Sequence, residues 1–219
     1  MIRALIFSKD RASQLKLLLD SIEVNCPNAL SVTVLYKHST PEFENGYKKL
    51  MEEKKHSVEW VLESDFKNQV VSWTAHAKSF TCFLTDDDII YQNFDLETIE
   101  NTLNEDSNVF CFSLRLGKNV TKCYTMKCNN VLVPLEENES IVKWDWTKHY
   151  ADFGYPLSVD GHVFRANEIA KISRMISYSN PNTFEASMQV FENYPKPKMA
   201  SFITSKLVNT PSNVVQDVF

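Results

Sequence analysis

Glycine is scarce: only Gly46, Gly117, Gly154 and Gly161 occur in 219 residues. A Gly-x-Gly-x-x-Gly dinucleotide loop and a Walker A phosphate loop both need glycines at short fixed spacings, so neither can be written anywhere in the chain. A phosphate bound here has to be held by side chains and metal. Positive charge is also short, with 23 Lys and Arg against 28 Asp and Glu, a net charge of −5. That balance argues against a nucleic-acid partner, whose footprint is normally basic. No apolar run approaches the roughly 18 residues of a membrane span. Met1-Ile2-Arg3 leads into a short apolar run without signal-peptide flanks, so the expectation is a soluble, unprocessed protein of the cytoplasm. Cysteine is an odd set of five without tight pairing, which fits reduced thiols. Cys111, Cys123, Cys128 and His149 can be drawn as a zinc set, but the spacing is loose and no second knuckle follows.

What is present is 43% hydrophobic and 12% aromatic residues, enough to bury one good-sized core, so a single domain over 1–219 is expected. The chain is organised around Phe80-Thr81-Cys82-Phe83-Leu84-Thr85-Asp86-Asp87-Asp88, an apolar run ending in three carboxylates. It reads as a buried strand with acids at its C-terminal edge. Three adjacent aspartates repel one another unless a cation or donor groups sit among them, and a hard divalent metal with oxygen ligands answers that need. Asp-x-Asp alone also describes a solvated turn, so its setting must make the case.

The setting is a series of strand-helix units. Ile2 to Phe7 is a strand, and Leu15, Leu18, Leu19 and Ile22 form the stripe of an amphipathic helix. Ser31 to Tyr36 is a second strand, followed by a helix through Phe43, Tyr47, Leu50 and Met51. Val58 to Leu62 is the third strand, and Phe66, Val70, Trp73 and Ala77 mark a helix that delivers the chain into the Phe80 strand. Three such units and a fourth strand predict a doubly wound α/β sheet. Ligands of such sheets bind beyond the carboxyl ends of the strands. Ser8 and Arg11, Lys37, Glu63, and Asp86 to Asp88 all lie at such ends.

Beyond the acids, Leu96 to Leu103 reads as a helix, Val109 to Leu114 as a strand, and Asn119 to Pro134 as a hairpin or irregular excursion. Trp144-Asp145-Trp146 and Tyr150 to Tyr155 have the composition of a sugar-stacking surface, although core packing is the commoner use of such aromatics. Leu157 to Arg165 is strand-like, and alternation puts Asp160, His162 and Phe164 on one face. Asn167 to Ile176 and Thr183 to Phe191 read as helices, with Glu185 in the first turn of the latter, where a carboxylate complements the helix dipole. The segment from Pro195 is expected to wrap over the body.

In order, these features resemble the inverting, family-2 type glycosyltransferases of the GT-A fold. The resemblance is carried by Ile6-Phe7-Ser8-Lys9-Asp10-Arg11, by Gln14-Leu15 to Ile22, and by Phe83-Leu84-Thr85-Asp86-Asp87-Asp88 as the Asp-x-Asp element. Thr33 to Lys37, Phe153 to His162, Asn180 to Glu185 and Asn213-Val214-Val215-Gln216 look like signatures of a small bacterial-type subgroup. The resemblance implies a Rossmann-related mixed sheet flanked by helices, with 1–115 as the nucleotide-sugar half and 116–219 as the acceptor side. It also implies transfer of a sugar from a nucleotide-diphosphate donor to a hydroxyl on a glycan or lipid-linked glycan in surface glycan biosynthesis.

Carried over to these positions, the resemblance places Ser8 and Arg11 at the nucleotide pocket, with Lys37 and Glu63 as further donor contacts. It places Asp86 at the ribose or the metal, and Asp88 on a Mn²⁺ or Mg²⁺ bridging the phosphates; Asp87 could exchange roles with either. Glu185 falls where the family has its general base, Asp160 is the rival base, and His162 could complete the metal shell or contact the acceptor. Two positions depart from the pattern. The usual Asp-Asp-Gly-Ser loop is Tyr36-Lys37-His38-Ser39, and the usual Glu-Asp pair is Glu185-Ala186. The chain is short for the family and leaves little sequence for an acceptor domain, so a partner, either a second protein or a second copy, is expected to help position the acceptor; the expected location is cytoplasmic, peripheral at the membrane. The rival readings are a sugar-phosphate nucleotidyltransferase, disfavoured because the first loop has no glycine, and a glycan- or nucleotide-binding module without turnover.

Overall fold

The computed structural model describes residues 1–191 and 194–210. The first half runs β1 (Ile2–Lys9), α1 (Ala12–Asn25), β2 (Leu30–Lys37), α2 (Pro41–Glu53), β3 (Val58–Leu62), α3 (Phe66–Ala75), β4 (Phe80–Thr85), β5 (Asp88–Ile90), α4 (Leu96–Glu105) and β6 (Val109–Ser113). The second half adds the short strands β7 (Lys122–Cys123), β8 (Cys128–Asn129) and β9 (Glu136–Glu137), then β10 (Ile141–Asp145) and β11 (His162–Arg165). It ends with α5 (Ala166–Met175), α6 (Pro181–Met188), β12 (Lys198–Phe202) and β13 (Leu207–Asn209). Nine strands form one mixed sheet in the order β3-β2-β1-β4-β11-β6-β12-β10-β9.

The apolar alternation in the strands explains why helices cover both faces. Ile2, Ala4 and Ile6 of β1 join a core with Leu15, Leu18, Leu19 and Ile22 of α1, Leu50 of α2 and Ile99 and Leu103 of α4. Leu5 and Phe7 point the other way, into a core with Phe66 and Val70 of α3, Ile169 and Ile172 of α5 and Phe184 and Met188 of α6. Each fully buried side chain of this kind contributes about 1.5–3 kcal/mol. Helix starts are marked by side-chain caps: Thr40 Oγ1 accepts from Phe43 N at 3.4 Å and Asp65 Oδ1 from Asn68 N at 3.1 Å. Asn180 and Thr183 form a reciprocal capping box ahead of α6.

β1, β2, β3 and β4 are parallel. The chain leaves β1 towards β2 on one side and reaches β4 on the other, so a crevice opens between the ends of β1 and β4. Antiparallel β11 then inserts between β4 and β6.

Several expectations change. Of the run Leu157–Arg165 only His162–Arg165 is strand, because Gly161 turns the chain with φ +73°. α6 starts at Pro181, so Glu185 sits past the first turn, and helix-dipole complementarity does not account for it. Nor does the segment after Pro195 simply wrap the body. β12 lies inside the sheet between β6 and β10, and β13 pairs with β5, setting Asn209 opposite Asp88. The Asn213–Gln216 signature lies outside the described residues. The 119–134 excursion contains a two-stranded hairpin, β7 with β8. Trp144, Trp146 and Phe153 are core: Trp144 Nε1 donates to Phe153 O at 2.8 Å, and Trp146 Nε1 to Lys196 O at 2.8 Å.

Gly161 offers a direct check, since a Cβ there would lie 2.9 Å from Leu207 Cδ1 as well as force a side chain into the left-handed region. Gly161→Ala is expected to cost about 1–3 kcal/mol of unfolding free energy, read as a lower urea midpoint with an unchanged slope.

Candidate active site

The loop after β1 is held by a buried phenol. Tyr47 Oη lies 2.7 Å from Ser8 Oγ and accepts from Arg11 N at 3.2 Å. Burial pushes the phenol up to about 12, so it stays neutral. Asp10 takes a left-handed φ of 59° and binds Ser39 with both oxygens, accepting from N at 2.7 Å and from Oγ at 2.8 Å. The neighbouring Arg11 is turned inward, its Nη1 3.1 Å from Asp86 Oδ1 and 3.3 Å from Asp87 Oδ2. Its Nε and Nη2 are buried with no acceptor among the described residues. Lys37 and Glu63 pair with each other at 2.9 Å across the ends of β2 and β3.

Thr85 is the hub of the acid cluster. Its Oγ1 lies 2.8 Å from Asp87 Oδ1, 3.5 Å from Asp88 Oδ2 and 3.1 Å from Asp160 Oδ1, while its backbone N donates to Asp88 Oδ2 at 2.9 Å. Asn209 Nδ2 reaches Thr85 Oγ1, Asp87 Oδ1 and Asp88 Oδ1 at 3.3, 3.1 and 3.1 Å. A hydroxyl has one proton to give, so three carboxylates around Oγ1 leave the cluster short of positive charge. Asp88 is wholly buried, and burial with the charge of Asp160 holds its carboxyl well above the usual range. Burial raises Asp86 to about 7 against the opposing pull of Arg11.

Asp160 links this cluster to a cleft of about 680 Å³ that is also lined by Glu185, Arg115, Asp152, Tyr155 and Asn209. Glu185 Oε1 accepts from Val159 N at 3.1 Å. Burial and then the Asp160 charge raise its carboxyl to about 7, the range in which a carboxylate serves as a general base near neutrality. Burial raises Asp160 as well, and the Arg115 guanidinium opposes that rise. Arg115 is fixed by Asp152, Nη1 to Oδ1 at 2.9 Å, and Asn130 Nδ2 holds the other oxygen of Asp152 at 3.2 Å. The two rival bases therefore occupy one cavity, beside the three aspartates.

His162 is not brought to the acids. It is completely buried, with Nδ1 3.0 Å from Pro156 O and 3.9 Å from Cys111 Sγ, and Nε2 has no partner among the described residues. Burial holds its imidazole down to about 3, so it is neutral. Cys111 is therefore beside His162, whereas His149 accepts from Val133 N through Nε2 and faces Asp145 O through Nδ1. Neither the zinc set nor a triad with Asp86, Asp88 and His162 is assembled: among the described residues no three His, Cys, Asp or Glu groups form a cation-holding cluster. Arg115, Asp152 and Asn209 escaped the sequence reading. Arg115 follows the end of β6 and obeys the same strand-end rule as the others, whereas Asn209 arrives through β13, a pairing with no local signal.

The carboxylates nonetheless fit a small divalent cation. The donors are hard oxygens, they carry uncompensated negative charge around Thr85, and Mg²⁺-like ions are commonly held by one or two carboxylates with substrate phosphates completing the shell. Asp87 and Asp88 are the two carboxylates that share both Thr85 and Asn209 as partners, and they would supply such oxygens.

No family model matches the chain. Along its full length it is 28% identical, over 254 aligned positions, to the bifunctional glycosyltransferase pgtA of Dictyostelium discoideum, spanning about a third (33%) of that protein. Its fold is that of S. aureus TarS, with a TM-score of 0.57 at 14% identity over 94% of this chain and 35% of TarS. TarS 1-349 in complex with UDP superposes equally well, at 14% identity over 58% of that chain, and the complex with UDP-GlcNAc gives 0.52 at 15% identity. Among the described residues no helix is long and apolar enough to cross a membrane.

The raised carboxyls set the pH dependence of stability. Glu185 and Asp86 have folded values near 7, above those of the unfolded chain, so the folded state binds more protons between about pH 4 and 7. The stability they confer is complete below about pH 4 and lost as pH rises through 7. Glu185→Gln keeps an acceptor for Val159 N and removes one ionisation. It is expected to stabilise the ligand-free protein by on the order of 1–3 kcal/mol at pH 8 and to change little at pH 4, measured by calorimetric melting at the two pH values.

Proposed function

We propose that the chain is a glycosyltransferase that moves a sugar from a nucleoside-diphosphate donor to a hydroxyl acceptor with inversion, as part of surface glycan assembly. The observation that carries this reading is that Glu185 and Asp160 line one cleft, and Asp160 is joined through Thr85 to Asp87 and Asp88, whose neighbour Asp86 pairs with Arg11. The likeness to pgtA supports the reaction class. The UDP and UDP-GlcNAc complexes of TarS make a uridine nucleotide the first donor to test.

In this reading the diphosphate lies in the crevice between β1 and β4. Arg11 offers it the Nε and Nη2 protons that otherwise lack acceptors, and Ser8, Lys37 and Glu63 line the nucleotide side. Asp87 and Asp88 would hold Mn²⁺ or Mg²⁺, and Asp86 stays on Arg11. The bound cation would offset charge growing on the leaving diphosphate. Glu185 takes the proton of the acceptor hydroxyl; its oxygen forms a bond to the anomeric carbon from the face opposite the diphosphate, and the electron pair of the breaking C–O bond stays on the phosphate oxygen. Asp160 is the second candidate for the base. Each has one oxygen engaged, Asp160 Oδ1 by Thr85 Oγ1 and Glu185 Oε1 by Val159 N.

Glu185→Gln separates binding from chemistry. Transfer, followed as UDP released from UDP-sugars with acceptor present, is expected to fall by about 10²–10⁴-fold, while the rise in melting temperature caused by UDP with Mn²⁺ is retained. Full transfer by this variant would move the base to Asp160. Absence of transfer from every nucleoside-diphosphate sugar, with nucleotide binding intact, would favour a binding module.

A further inference from the structure

The β7–β8 hairpin sets Cys123 directly opposite Cys128. Its turn, Tyr124 to Lys127, is closed by Lys127 N donating to Tyr124 O at 3.3 Å, and two rungs beyond the cysteine pair Asn130 N donates to Thr121 O at 2.9 Å. Hydrogen-bonded and non-bonded rungs alternate in an antiparallel pair, so the cysteine rung is of the same bonded kind as Thr121–Asn130, with Cα atoms about 5.5 Å apart. That spacing falls inside the range of about 4.4–6.8 Å that disulfides span, and closure draws the Cβ atoms, about 4.5–5.5 Å apart in a directly opposed pair, together by about 1 Å, which a two-stranded ribbon accommodates by twisting. Directly opposed side chains share one face of the ribbon. Cys26, just past α1, and Cys82 and Cys111, in β4 and β6, lie buried elsewhere.

We propose that Cys123 and Cys128 are a modification site, a thiol pair that small-molecule disulfides close into a disulfide across the hairpin. Cys128 is the more open of the two and attacks first: its thiolate bonds to one sulfur of the small disulfide and releases the other half as a thiol. The Cys123 thiolate then bonds to the Cys128 sulfur and expels the second thiol. The hairpin loses two protons and two electrons, and the small disulfide gains them. Burial and the Asp152 carboxylate hold the Cys123 thiol up, so the second, intramolecular step is the slower one and quickens as pH rises.

The bond matters because this hairpin is a wall of the cleft: Cys123, Tyr124, Thr125 and Met126 line it together with Asp160 and Glu185. Cys123 also faces Asp152, which fixes Arg115. Closure pins the turn beside Asp152, so it reduces reaction in the cleft. That consequence rests on the proposed transferase activity; the disulfide does not.

The test treats the folded protein with oxidised glutathione, blocks free thiols and digests it without reduction for mass spectrometry. The expected product is one peptide pair linked through Cys123 and Cys128, an intact mass lower by about 2 Da, and Cys26, Cys82 and Cys111 blocked only after unfolding. Reduction with dithiothreitol restores the mass, and Cys128→Ser shows no such loss. A lasting glutathione adduct on Cys128, a link from either residue to another cysteine, or two free thiols overturns the proposal. In a parallel transfer assay the oxidised protein is expected to be several-fold slower and to recover on reduction, with Cys128→Ser unaffected by glutathione. Closure without any change in transfer overturns the coupling to the cleft. The mass measurement decides the disulfide whatever the transfer assay returns.

Discussion

One hydroxyl proton shared among three carboxylates is the constraint on which the site depends. Thr85 ends the central strand β4, and Asp87, Asp88 and Asp160 all crowd its Oγ1 in a setting where Asp88 has no exposure to water. Such an arrangement persists only if protons or a cation make up the missing charge. The cost falls on the ligand-free protein, whose carboxyls take up protons; in the proposed function the same deficit would draw in a cation with its diphosphate, so that affinity for a charged ligand and reduced stability at high pH would have one origin.

The rest of the molecule serves to hold that cluster in place. Two apolar cores, one on each face of the sheet, fix the direction of β1 and β4, and the antiparallel strand β11 brings Asp160 to the same point from the second half of the chain. β13 closes the arrangement by laying Asn209 over Asp87 and Asp88. Thr210 N adds a bond to Asp87 O at 2.8 Å. Residues from three distant stretches thus meet at one strand end. Loss of β13 would leave Asp88 Oδ1 without its amide partner.

How far the sequence discloses this depends on whether the signal is local. The β1–α1–β2–α2–β3–α3–β4 succession is legible because each strand is a short apolar run and each helix keeps its 3.6-residue stripe, as in Leu15, Leu18, Leu19 and Ile22. The strand-end rule likewise picks out Ser8, Arg11 and the three aspartates, and Glu185 and Asp160 are found in one cleft. What is not legible comes from long-range pairing. β12 and β13 read as a segment wrapped over the body until their partners are known, and nothing near Asn209 announces Asp88. For Trp144 and Trp146 composition leaves a sugar platform open beside the commoner core packing, and core packing is what the fold shows, with their indole N–H groups spent on Phe153 O and Lys196 O. His162 is similar: its residue type suits a metal, but its place in β11 buries it beside Pro156 and Cys111.

The charge deficit around Thr85 is tested most directly by calorimetric titration of the protein with UDP in the presence and absence of Mn²⁺ at pH 7.5. The account predicts binding at least about tenfold tighter with the ion, a coupling of about 1.4 kcal/mol, and loss of that difference in Asp88→Asn. Equal affinity with and without Mn²⁺ in the unaltered protein would contradict it.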